Sequence, residues 1–200
     1  MLIHCLSGKQ GRNADAYRVV YCETLRNLID VLTPKFTVFT SSTSVYPQND
    51  ASEVDESSTV GGTPTGDVLL SAEKMATDAG GAALRLGGIY GPERARFIEA
   101  AKANQPLPFG DPEAFINLIH RDDAARALFH VGVHRLAGVY NAVDDHPGRR
   151  EDLAESIRTG KLVAADRAEK STGKRVRNQK LRTTGWAPQY PSILAALPEL

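Results

Sequence analysis

Phe36-Thr37-Val38-Phe39-Thr40-Ser41-Ser42-Thr43-Ser44-Val45-Tyr46 decides how this chain is read. Residues 36–39 are β-branched, aromatic and apolar, which predicts a strand, and the strand runs straight into five consecutive hydroxyl side chains, Thr40 to Ser44. A buried strand that ends in hydroxyls presents polar groups at the edge of a sheet. That edge is where an α/β protein keeps a small-molecule site.

The segments on either side extend the pattern. Leu2-Ile3-His4-Cys5-Leu6 is a short apolar run closed by Ser7-Gly8 and a polar stretch to Asn13, as a buried parallel strand closes into a loop. From Asp15 to Leu32, Tyr17, Val20, Tyr21, Leu25, Leu28, Ile29 and Leu32 recur at helical spacing until Thr33-Pro34 stops them, which predicts an amphipathic helix. Pro47 to Gly66 is rich in Asp, Glu, Ser, Thr, Gly and Pro and reads as a long surface loop. A helix over Val68 to Ala79 is capped by Gly80-Gly81. A strand over Ala82–Leu86, a helix over Phe97–Ala103, a turn or strand over Pro106–Phe109, a helix over Asp122–His134 and a strand over Val139–Val143 complete the alternation. Alternating helices and strands predict an α/β fold, a parallel sheet with helices on both faces.

The composition narrows the function. Of 200 residues, 42% are hydrophobic and 24% charged, a content that fits one domain burying roughly 70% of its unfolded surface. Lys+Arg and Asp+Glu stand at 24 each, so no global field draws in nucleic acid or an anionic membrane, and a small molecule is the expected partner. The basic stretch from Ala165 to Gln179 reads as a solvated face that could also take an anionic substrate group. No segment approaches the ~20 apolar residues of a membrane span, and no signal sequence opens the chain. With Cys5 and Cys22 expected as unpaired core thiols, a cytoplasmic protein is the expectation. The acid pairs Asp122-Asp123 and Asp144-Asp145 lack His or Cys at ligand spacing, so no metal is expected.

Four motifs occur in order. Ser41-Ser42-Thr43-Ser44-Val45-Tyr46 resembles an S-S-x-x-V-Y segment, and Arg85-Leu86-Gly87-Gly88-Ile89-Tyr90-Gly91-Pro92 an R-x-x-x-x-Y-G-P strand end. Ile119-His120-Arg121-Asp122-Asp123 resembles I-H-x-D-D, and Val139-Tyr140-Asn141 a Y-N strand. Together they resemble the extended short-chain dehydrogenase/reductases, the NAD-dependent epimerase/dehydratase family. Val54-Asp55-Glu56, Ala72-Glu73, Gly173-Lys174-Arg175-Val176-Arg177-Asn178 and Gly185-Trp186-Ala187-Pro188-Gln189-Tyr190-Pro191 are similar to an atypical subgroup of it, over Leu2 to about Leu194.

This resemblance implies a single partial NAD(P)-binding Rossmann-like domain over residues 1–200, with the substrate-side elements in 92–200. It places Leu2–Ser7 as the family's fourth strand, so that the three strands carrying the glycine fingerprint would precede Met1 and leave an exposed apolar edge. It implies NAD or NADP as cofactor and oxidation, reduction or epimerisation of a sugar nucleotide or similar polar metabolite. It also implies two-copy pairing through the helices at 15–32 and 68–79. Ser42 and Lys74 take the catalytic positions; Leu6, Ser7, Lys74, Gly87 and Gly88 the cofactor side; Ser44, His120 and Arg175 the substrate side.

The family's acid/base is a Tyr placed four residues before its Lys, so that both share one helix face. Here Lys74 is preceded at that distance by Leu70, which carries no proton, and Tyr46 or His120 would have to substitute. Asp122 is expected to cap the helix that follows His120, and Tyr90 and Pro92 to be packing residues. No G-x-G-x-x-G or G-x-x-x-x-G-K stretch occurs in the 200 residues, and the alternative function is a non-catalytic nucleotide-binding or regulatory protein of the same fold.

Overall fold

The structure, a computed structural model, describes residues 1–7, 13–108, 110–163 and 171–199. Phe109 of the expected turn, and Ala165–Lys170 of the basic stretch except its flanks, lie outside the described residues. The chain divides into two compact units, one of residues 1–47, 56–86 and 126–141, the other of residues 48–55, 87–125 and 142–200.

The first unit is built on strands β1 (Leu2–His4), β2 (Thr37–Ser42), β4 (Ala82–Leu86) and β8 (Gly138–Ala142) in the order β1-β2-β4-β8. β1 runs parallel to β2 with Ile3 beside Val38, and β2 runs parallel to β4 with Phe39 beside Ala83. Consecutive strand residues point to opposite faces, and Val38, Phe39, Ala83 and Leu84 are all fully buried. Both faces of the sheet are therefore covered, which is the condition of a parallel sheet.

The helical cover matches the periodicity with one departure. Residues 14–32 are helical throughout as α1 (Ala14–Tyr17), a wider π segment (Arg18–Glu23) and α2 (Thr24–Leu32), and Asn13 caps the start by accepting the Ala16 N–H at 2.8 Å. Thr33 ends α2 in the left-handed conformation at φ 42°. α3 (Pro64–Asp78) begins a turn earlier than the apolar pattern, because Thr63 accepts the Gly66 N–H and Pro64 sits in the first turn, where its missing N–H costs nothing. The loop expected over residues 47–66 thus gives way to helix at Pro64, and it also contains the two-residue strand β3 (Glu53–Val54). Cys22 is buried and its thiol meets the Val68 carbonyl, but Cys5, expected in the core, is exposed because β1 ends at His4.

The strands of the second unit are short pieces that the periodicity did not announce, although the helices expected over 97–103 and 122–134 are present. β5 (Gly88–Tyr90) pairs in parallel with β7 (Leu118–His120), β6 (Ala114–Ile116) lies between β9 (Gly148–Arg149) and β10 (Thr172–Gly173), and β11 (Arg175–Val176) pairs with β3. Helices α4 (Arg96–Lys102), α6 (Arg150–Thr159), α7 (Gln179–Arg182) and α8 (Ile193–Ala196) accompany them. Tyr90, Ile98, Leu153, Ile157, Tyr190 and Ile193 form the core of this unit. α5 (Arg121–Val133) starts one residue before the expected cap, so Asp122 lies inside its first turn and does not cap it. No helix among the described residues is long and apolar enough to cross a membrane.

Gly81 joins α3 to β4 where no side chain fits. A Cβ there would lie 2.1 Å from the Thr37 carbonyl oxygen and 2.8 Å from that of Ala76, both backbone atoms. Gly81→Ala is expected to destabilise the chain by about 2–4 kcal/mol, an overpacking cost that urea unfolding would register as a lower midpoint. A change below about 0.5 kcal/mol would contradict this packing.

Candidate functional site

In the first unit, the residues beneath the carboxyl end of the sheet form one buried polar chain. Arg85 stands between Leu84 and Leu86 in β4, and Glu73 lies on the inward stripe of α3 with Leu69, Ala72 and Ala76; all are buried. The Arg85 Nη2 donates to Glu73 Oε2 at 2.7 Å and its Nε to Oε1 at 3.0 Å. The Ser41 hydroxyl of β2 donates to the same Oε1 at 2.5 Å. On its other side Arg85 donates from Nη1 to the Tyr46 hydroxyl at 2.9 Å, which donates onward to Asn141 Oδ1 at 2.8 Å. The Asn141 N–H in turn reaches Glu56 Oε1 at 2.7 Å. Charges this deep are tolerated because each is paired and hydrogen-bonded.

Tyr46, offered by the sequence as a substitute proton carrier, belongs to this chain. Burial pushes its phenol above the ordinary tyrosine range, against the lowering effect of its bonds to Arg85 and Asn141. It is a structural hydroxyl.

Above the network lie the strand-end groups. Ser42 is half-buried at the end of β2, and its Oγ accepts the Ser44 N–H at 3.1 Å. Ser44 is exposed, as are Leu6 and Ser7 beyond the end of β1. Lys74, expected at the crevice, is 75% exposed and pairs with Asp78 at 2.7 Å on the outer face of α3. Its neighbour Glu73 holds the inward position, and one residue turns a helix by about 100°. Leu70 and Lys74 therefore form no acid/base pair with the sheet end.

The other predicted residues fall in the second unit. Gly87 is a packing glycine: a Cβ would lie 2.8 Å from the Asn117 carbonyl oxygen. Gly88 donates its N–H to that same oxygen at 2.7 Å. His120 is buried, its Nδ1 accepts the Asp122 N–H at 3.3 Å, and its ring lies 5.4 Å from that of Tyr90 and 4.1 Å from that of Tyr190. Its Nε2 has no hydrogen-bond partner among the described residues. Arg175 donates from Nε to the Ala51 carbonyl at 2.9 Å and sits 5.5 Å from the centre of the Phe115 ring. Asp123 accepts the N–H groups of Gln189 and Tyr190 at 2.7 and 2.8 Å, docking the segment that follows Trp186.

The sequence motifs contained Glu73 and Arg85 but gave neither a role. The usable signal was local: an arginine inside an otherwise apolar strand requires a buried partner. Identifying that partner required the fold.

No protein-family model matches the chain, and no curated protein does. Solved structures do match. One described as an NAD-dependent epimerase/dehydratase from Methylobacillus flagellatus superposes with a TM-score of 0.78 at 28% identity, covering 92% of this chain and 71% of that one. A human epimerase family protein solved with NADPH gives 0.72 at 21% identity over 94% of this chain and 75% of that one. The UDP-glucuronic acid 4-epimerase of Bacillus cereus, in complex with NAD, gives 0.71 at 18% identity over 94% and 68%. The chain has the fold of the NAD-dependent epimerase/dehydratase family, a Rossmann-like short-chain dehydrogenase/reductase fold.

Tyr46→Phe removes one hydroxyl from the buried chain, and with it the bond from Arg85 Nη1 and the bond to Asn141 Oδ1. It is expected to cost about 1–3 kcal/mol in equilibrium unfolding. Unchanged stability would show that the network closes without it.

Proposed function

We propose that the chain binds NAD or NADP beyond the carboxyl ends of β1 and β2, in the service of oxidoreductase or epimerase chemistry on a sugar nucleotide or a similar polar metabolite. The observation that carries this reading is the half-buried Ser42 hydroxyl at the end of a buried parallel strand, in a fold shared at 28% identity with an epimerase/dehydratase. Small molecules bind at that edge of open α/β sheets.

The residues present fit one end of the dinucleotide. Ser42 supplies a hydrogen bond to a reacting hydroxyl or carbonyl, and the Ser41–Glu73–Arg85 network holds the strand beneath it still. The bound nicotinamide would supply the hydride acceptor. A glycine fingerprint for the pyrophosphate is not among the 200 residues, so the affinity of this chain rests on the nicotinamide end.

A second reading, a non-catalytic nucleotide-binding or regulatory protein, is favoured by Leu70 and by the outward Lys74. General acid–base assistance is worth about 10²–10⁴ in rate, and without a positioned phenol and ammonium this chain would lack it.

Calorimetric titration of the 200-residue chain with NAD and with NADP tests the proposal, followed by assay of nicotinamide reduction with UDP-sugars. Binding with a Kd near the micromolar range, weakened by Ser42→Ala and unchanged by Lys74→Ala, is expected. Absence of binding by a folded chain would overturn the dinucleotide reading, and binding without turnover would select the non-catalytic one.

A further inference from the structure

In the first unit, α5 closes with His130-Val131-Gly132-Val133-His134, two imidazoles four residues apart. Side chains at that spacing lie one above the other on a helix face. Ala127 and Val131 are fully buried and fix the inward face of this turn, while His130 is half-buried and His134 exposed. The two ring centres are 4.4 Å apart, with the planes tilted by 43°. With metal–nitrogen bonds of about 2.0–2.1 Å, two imidazole nitrogens on one ion lie roughly 3 Å apart, a separation within reach of rings this close. Gly132 lies against Met1 and Val38, so the pair stands at the amino ends of β1 and β2, the opposite end of the sheet from Ser42.

The backbone under the pair is locked. The Leu136 N–H donates to the Val131 carbonyl at 3.0 Å and the Arg135 N–H to the Gly132 carbonyl at 3.3 Å, with Arg135 left-handed at φ 50°. This is a Schellman closure. It holds His134 on the helical ladder, its N–H on the His130 carbonyl at 3.1 Å. The same carbonyl oxygen lies 2.9 Å from His134 Nδ1. A carbonyl only accepts, so Nδ1 carries the proton and the lone pair of the neutral ring is on Nε2. Metal-bound histidines are oriented in this way, with one ring nitrogen donating to a backbone carbonyl and the other turned to the ion. The carboxyl end of a helix also favours a cation. Arg126, one turn before His130, and Arg135, beside His134, oppose that field, so the two nitrogens must supply the attraction.

We propose that His130 and His134 together chelate a divalent first-row transition ion. Two neutral imidazoles suit Cu²⁺, Ni²⁺ or Zn²⁺ and not Mg²⁺ or Ca²⁺, which take oxygen ligands. His130 has an interaction of its own, and the ion takes a ring nitrogen in exchange. No third His, Cys, Asp or Glu joins the pair in a metal-holding group among the described residues. Water fills the remaining positions, and the ion exchanges freely with solvent.

The test titrates the 200-residue chain with Ni²⁺ by calorimetry in a non-coordinating buffer, in a Cys5→Ser background that removes the exposed thiol. One saturable equivalent with a Kd of about 0.1 mM or tighter is expected. His130→Gln and His134→Gln should each weaken binding by about tenfold or more, because either loss breaks the chelate, whereas His146→Gln, at an exposed histidine elsewhere, should stay within about twofold. Zn²⁺ should compete with Ni²⁺, and Mg²⁺ should not. Saturating Ni²⁺ should raise the thermal midpoint of the parent and of neither chelate variant, a readout available wherever the variants fold. Absence of saturable Ni²⁺ binding, an affinity that either chelate substitution leaves within about twofold, or equal competition by Mg²⁺ would overturn the site and leave the pair as a cap on α5.

Discussion

A salt bridge between Glu73 and Arg85, with both side chains about 5% exposed, is the constraint on which the first unit depends. It joins α3 to β4, whose buried residues are otherwise apolar. Neither partner could remain charged there alone, because an ion transferred from water to a protein interior without its counterpart costs several kcal/mol. The geometry fixes more than the pair. Arg85 uses three nitrogens, and the acceptors it faces come from α3 and from the 3₁₀ turn that follows β2, while Ser41 completes Glu73 from β2 itself. The sheet end is thereby held from below by a single hydrogen-bonded body, and Ser42, one residue beyond Ser41, inherits its position from it.

Three of the hydroxyls from Thr40 to Ser44 have clear hydrogen-bond partners: Thr40 donates to the His4 carbonyl at 3.1 Å, Ser41 donates to Glu73, and Ser42 accepts the Ser44 N–H. Strand-end hydroxyls thus serve the turn and the crevice at once. In the second unit the corresponding task is done by backbone docking, with Asn117 holding both the Lys174 carbonyl and the Val176 N–H, and Asp123 holding residues 189 and 190.

Much of the first unit was legible because its elements are long enough to show a period. The strand at 82–86 and the helical stretch ending at Leu32 fall where the apolar spacing puts them. β2 runs on through Ser42, since strand pairing with β4 outweighs the turn preference of hydroxyl residues. The second unit was largely illegible: strands of two or three residues have no period to detect, and their pairing is set by contacts distant in sequence, such as Glu53 beside Arg175. Of the expected site residues, Ser42 lies at the end of β2, half-buried, and Lys74 lies exposed on α3 beside Asp78; a helix position implied by resemblance does not say which face turns inward. The buried Glu73 settles that face.

Whether the Glu73–Arg85 pair organises the sheet end is tested most directly by a double-mutant cycle in urea, with Glu73→Gln, Arg85→Met and the two combined. The account predicts a coupling energy of about 2–4 kcal/mol, the double variant being much less damaged than the sum of the single ones, because each single change strands a buried charge. Additivity within about 0.5 kcal/mol would contradict it and would leave the pair a bystander of apolar packing.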